Sequence, residues 1–278
     1  MKLPTILLAA ASALVSLPAL ADPTADQVAA AKEAEVRGAE IYAYDQAAWH
    51  STDRFVVDLK KRGMTLQSAQ DAGFGGYVVE PAGGGLLMAT YYTKKDGNWV
   101  AMARYWVLGS KVKKGSFLKP KDDSSLSPMA LKLIGAREKG ADAAAEQKAF
   151  RCTRGNMNTV VLPPRADGSI PVYVMSSGVD PGVFPAGGHY RYVVGADGKL
   201  LSSRAFTKGC VNVDARNVPK TAAGYGVSHI LDPQPTEIHV FVSYNTTVKL
   251  FVVIEGSKDL WEVNKGKVVF KQVLKGAP

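Results

Sequence analysis

Asp-Gly dipeptides set between runs of β-forming residues constrain this chain more than any other feature. Such a dipeptide supplies the positive φ angles of a tight hairpin, so it commits its two flanking runs to antiparallel pairing. Asp96-Gly97 lies between the runs 86–93 and 99–108, and Asp197-Gly198 lies between 189–194 and 200–206. Trp261-Glu262-Val263 followed by Asn264-Lys265-Gly266 predicts a third, shorter hairpin. Further β-rich runs fall at 76–80, 159–162, 170–175, 237–244, 250–255 and 267–273. Strands that follow one another with turns predict an antiparallel sheet or a small barrel. No internal repeat is strong enough to indicate a propeller or a solenoid.

Helices are expected in two places. Thr24-Ala25-Asp26-Gln27 fits a capping box, and Ala34, Ile41, Tyr44 and Ala48 recur on one face, with Tyr42, Asp45 and Trp49 as an adjacent stripe. Ser51-Thr52-Asp53 reads as a break and a new cap, opening a short helix that buries Phe55, Val56 and Leu59 and stops at Gly63. Ser127-Pro128 opens a later helix whose apolar side is Leu131, Leu133 and Ile134, with Gly140 dividing it. Between these regions, residues 110–127 carry Lys111, Lys113, Lys114, Lys119 and Lys121, then Asp122-Asp123, and read as a basic, polar linker. The fold class expected is α+β: N-terminal helices with an antiparallel meander, then a β-rich antiparallel C-terminal part. The corresponding organisation is an N-terminal subdomain at 22–109, the linker, and a C-terminal subdomain at 128–278.

Residues 1–21 have the form of a secretory signal: Lys2, an apolar run over 6–15, a break at Pro18, and Ala19-Leu20-Ala21 before Asp22. The run is too short to span a bilayer, and no later stretch reaches 18 uninterrupted apolar residues. A periplasmic or secreted product, without a transmembrane segment, is expected. Hydrophobic residues make up 46% of the chain, enough for a substantial core. Formal net charge is +9, and +8 once Lys2 is removed. In that compartment the available counter-charges are anionic lipid head groups, acidic glycans, cell-wall polymers or another envelope protein, and not nucleic acid.

Cys152 and Cys210 are the only cysteines, and in an oxidising compartment they are expected to pair, stabilising the fold by roughly 4 kcal/mol. The sharper alternative makes Cys210 a nucleophile. His189 and Arg191 alternate with Tyr190 and Tyr192, so a His-Arg face would either hold an anionic ligand or form the wet side of a sheet. His229, Glu237 and His239, with Asp232 between, can be drawn as a metal site in which Glu237 and His239 share a strand face. His50 and Asp53 are a further His-carboxylate pair, although Asp53 is better explained as a helix-start residue. The chain has no Gly-rich phosphate loop, no G-x-S-x-G, no H-E-x-x-H and no C-x-x-C, so no cofactor is implied.

Lys208-Gly209-Cys210-Val211 resembles the Ser-His-Gly-Cys segment of L,D-transpeptidases, with His189 upstream where that family also places a histidine. Lys208 stands where the motif has its histidine, Thr207 where it has serine, and Tyr190 where a glycine follows the upstream histidine. Asp45-Gln46-Ala47-Ala48-Trp49 with Thr52-Asp53, the Gly76–Glu80 run and Gly187-Gly188-His189-Tyr190-Arg191 resemble a group of exported bacterial proteins with no assigned activity. Together these readings imply a non-enzymatic binding or structural component of the bacterial envelope. The alternatives are a peptidoglycan-modifying enzyme using Cys210 with His189, and a metal-dependent hydrolase.

Overall fold

The computed structural model describes residues 22–274. The export signal expected at residues 1–21 therefore lies outside the described residues. Helix α1 (Ala25–Lys60) is the spine of the molecule: 36 residues, about 54 Å at 1.5 Å per residue. Its N-terminus carries the expected capping box, in which the Gln27 N–H donates to Thr24 Oγ1 (3.2 Å) and the Thr24 N–H donates to Gln27 Oε1 (2.8 Å). Ala31, Ala34, Gly38, Ile41, Tyr44, Ala48, Ser51, Phe55 and Leu59 recur at three- and four-residue steps and form its buried stripe. The break expected at Ser51-Thr52-Asp53 does not occur. Ser51 and Thr52 instead donate their hydroxyls back to the Ala48 carbonyl (3.0 and 2.7 Å), a bond pattern that fits inside a helix. The chain turns only at Gly63, with φ of 70°. A single turn-and-a-half of helix follows, α2 (Leu66–Asp71).

Strands β1 (Phe74–Pro81), β2 (Leu87–Lys95), β3 (Asn98–Leu108) and β4 (Lys111–Phe117) form an antiparallel meander in sequence order. Asp96 and Gly97 both have positive φ, as the Asp-Gly signal requires, and Lys95 pairs with Asn98 across the turn. β4 corrects the expectation of a linker. It is one of the sheet's two edge strands, and lysines on an edge discourage pairing with another chain. Phe55 of α1 stacks on Tyr91 (4.2 Å), Phe117 (5.1 Å) and Phe74 (5.4 Å), fixing the C-terminal half of the helix to this sheet. Residues 118–127 cross the opposite face, where Arg104 donates to the carbonyls of Asp123 and Ser125. They deliver Ser127, whose hydroxyl accepts from the Ala130 N–H and donates to Glu80 (2.5 Å), opening α3 (Pro128–Glu146). That helix passes Gly140 unbroken, and Gly140 abuts Val172 too closely for a side chain, which accounts for a glycine there.

The next sheet joins β5 (Met157–Val161), β6 (Ile170–Ser176), β8 (His189–Val194) and β9 (Leu200–Ala205), all antiparallel, while β7 (Val183–Pro185) leaves it to pair with β10 (Asn212–Asp214). Both of its faces are covered. Val172, Val174, Tyr190 and Tyr192 pack in the core that includes α3, whereas Tyr173, Met175 and Phe206 join the main core with α1. Cys152 and Cys210 form a disulfide with Cα atoms 5.1 Å apart. Gly188, with φ of 68°, lies under it, and a Cβ there would sit 3.0 Å from Cys152 Sγ.

The last sheet orders β11 (Tyr225–His229), β12 (Leu250–Ile254), β13 (Asp259–Asn264) and β14 (Lys267–Val273). The expected all-antiparallel pairing fails at one place: β11 and β12 are parallel, joined by helix α4 (Glu237–Asn245). Residues 237–244 were expected as a strand from their alternating β-branched residues. Burial on nearly every side outweighs that local preference, and the helix lies across α1. Gly38 is the crossing point, since a Cβ there would come within 2.4 Å of Val240 Cγ1. Among the described residues, no helix is long and apolar enough to cross a membrane.

Candidate functional site: an arginine cleft beside α4

A polar cleft of about 170 Å³ opens where the first half of α1, the strand pair β8–β9 and the entry to α4 meet. Its charged lining is Glu33 and Arg37 from α1, Arg191 from β8, Arg204 from β9, Asp232 from the segment after β11, and Glu237 at the start of α4. Strand alternation puts His189 and Arg191 on the α1 side of β8, as expected, with Tyr190 and Tyr192 in the core containing α3. On that face His189 is enclosed, whereas Arg191 lines the cleft.

Arg191 stands directly opposite Arg204 in the β8–β9 register. Like charges opposed across a strand pair are destabilising, so each needs its own compensation. Arg204 forms a two-pronged pair with Asp232 (3.2 and 2.7 Å) and lies over the Phe206 ring at 4.4 Å. Arg191 donates to Glu237 Oε1 at 2.5 Å, and the Tyr173 hydroxyl donates to the same oxygen at 3.2 Å. Burial works against the Arg191 charge, but the Glu237 carboxylate and Tyr173 more than offset it and raise its pKa. Arg37 pairs with Glu33 one turn back on α1. Glu237 also occupies the first turn of α4, where the helix dipole favours a carboxylate.

Histidines back the cleft. His229 Nε2 lies 3.0 Å from Asp232 Oδ2. Burial alone would raise the Asp232 pKa, yet hydrogen bonds from His229 and Arg204 hold it down to about 2. His239 Nδ1 accepts from the Thr236 N–H (3.1 Å), and the His229 and His239 rings meet edge to face at 4.8 Å. Burial, then the neighbouring His229, depresses His239 to about 3. His189 is wholly enclosed, its Nε2 lies 2.9 Å from the Pro185 carbonyl, and burial depresses it to about 4. His189 and His239 are therefore neutral at physiological pH.

These positions bear on two expectations. His229, Glu237 and His239 do not converge on a metal: Glu237 lies on a helix with its carboxylate turned to Arg191, and His239 is committed to Thr236. Among the described residues, no group of three His, Cys, Asp or Glu side chains is spaced to hold one. Cys210 is bonded to Cys152, so it has no thiolate for His189 to activate, and His189 is engaged with Pro185. His50 and Asp53 lie inside unbroken α1, with His50 stacked on Trp49 at 5.2 Å.

Sequence reading found Arg191 and missed its partners. Arg204 follows from pairing β8 with β9 across the Asp197-Gly198 turn, which was legible. Glu33 and Arg37 depend on where α1 crosses, and no local signal places that. No protein-family model, no curated protein and no solved structure matches this chain.

Proposed function

We propose that this chain is a non-enzymatic exported binding protein whose arginine cleft takes an anionic group of an envelope component. The observation that carries the reading is Arg191 set directly opposite Arg204, with Arg37 brought to the same cleft from a different element. Two guanidinium groups opposed on neighbouring strands cost stability, and a site that binds anions is a physical reason to retain them. Their fork geometry suits carboxylate or phosphate oxygens better than lysine would. The residues nearest to acid-base or nucleophilic chemistry are otherwise engaged: His189 and His239 in buried hydrogen bonds, His229 with Asp232, the cysteines in a disulfide. The resemblance to exported bacterial proteins agrees with an envelope setting.

Titration calorimetry with succinate and with inorganic phosphate tests the reading. Saturable binding is expected, abolished by Arg191→Gln and weakened at least tenfold by Arg37→Gln, with the latter leaving the melting temperature unchanged. Flat titrations for both anions and for every amino-carboxylate probe would exclude it.

A further inference from the structure

The cleft is not simply positive. Arg37, Arg191 and Arg204 share it with Glu33, Asp232 and Glu237, so its formal charges balance. The hydrogen-bonding capacity left over is equally two-sided. Arg204 spends both terminal nitrogens on Asp232. Arg191 spends NH1 on Glu237, and Arg37 spends NH2 on Glu33, which leaves donors on both. On the acceptor side, Glu237 receives its bonds through Oε1, and Glu33 pairs through Oε1, which leaves a second oxygen on each. The unspent groups fall into two donor–acceptor couples: Arg191 with Glu237, 18% and 7% exposed, and Arg37 with Glu33, 24% and 59% exposed.

Resting on the anion-cleft reading, we infer that the ligand group is an amino-carboxylate, its carboxylate on Arg37 and Arg191 and its ammonium on Glu33 and Glu237. A simple anion would add uncompensated negative charge beside three carboxylates, and burying unpaired charge is costly. A group carrying both signs keeps the balance and uses the spare capacity of both couples. The cleft volume has room for several waters, hence for a small polar head group. Both a free amino acid and a peptide side chain ending in an amino-carboxylate present this chemistry.

The test is calorimetry on the mature, disulfide-bonded chain with glycine, alanine and serine, with N-acetylalanine and alaninamide, and with a tripeptide whose side chain ends in an amino-carboxylate. At least one amino acid or the tripeptide is expected to bind, and blocking either the amine or the carboxylate should weaken binding at least tenfold. Tighter binding of the tripeptide identifies a peptide as the source. Equal or weaker binding identifies the free amino acid. Glu33→Gln, a change at the cleft rim, should weaken binding at least tenfold with no change in melting temperature. N-acetylalanine or succinate binding as well as alanine overturns the inference and leaves the anion reading standing. Silence from every probe, succinate included, overturns both.

Discussion

Asp232 holds the back of the cleft together, since it receives both terminal nitrogens of Arg204 and the His229 ring. Its side chain is 16% exposed, so loss of its charge is not made good by water. Asp232→Asn should destabilise the protein by about 2 kcal/mol, the usual scale for hydrogen bonds to a charged group, as read by urea denaturation. Glu33→Gln at the rim should change stability by less than about 0.5 kcal/mol, as exposed pairs generally do. Equal effects at the two positions would mean that the cleft is not layered into a fixed floor and an open rim. At this scale the sequence was legible for single strands only. Alternation put Arg191 and His189 on one face, but whether that face met water or a helix depended on α1, which is far away in sequence.

Elements were legible where the turn chemistry was local. Both Asp-Gly hairpins and the Asn264-Lys265-Gly266 turn form as expected, because a tight turn fixes its own register. β4 and α4 were not legible, for opposite reasons. The lysines of β4 look like a solvated linker, yet one neighbour is enough to make an edge strand. The β-branched residues of α4 look like a strand, yet Thr236 and His239 cap a helix there and the core surrounds it. The α1–α4 crossing places cleft residues on both helices, so its geometry can be tested at Gly38. Although alanine favours helix over glycine, Gly38→Ala should destabilise by about 1–3 kcal/mol through overpacking against Val240. Adding Val240→Ala should recover part of that loss in the same denaturation assay. A stabilising Gly38→Ala would show that the helices do not cross there.

Across the whole molecule, stability should depend on acid through two buried histidines and the half-buried Asp45. His189 and His239 titrate in the fold at about 4 and about 3, below their ordinary 6.5, so as pH falls from 6.5 the unfolded chain gains protons that the fold refuses, and stability declines. Asp45 acts the other way. Burial raises it from 3.8 to about 6, so the fold takes up a proton that the unfolded chain does not. Between pH 6 and 5 the net difference approaches one proton, about 1.4 kcal/mol per pH unit, and Asp45→Asn should roughly double that slope in urea midpoints. An unchanged slope would mean that Asp45 is not held as described. Reduction of the Cys152–Cys210 bond, which spans 58 residues, should lower stability by about 4 kcal/mol on the chain-entropy account. A loss under about 1 kcal/mol would show that the surrounding strands hold that segment without it.

The central claim is that Arg37 and Arg191 are the groups that meet the ligand, and arginine Nε–H nuclear magnetic resonance spectra report on it directly. With a binding probe titrated in, the Arg37 and Arg191 signals should shift together and saturate. Arg216, exposed and paired with Asp214 elsewhere, should stay in place. A common drift of all arginine signals that never saturates would mean that the probe acts only as salt and that the cleft is not a binding site.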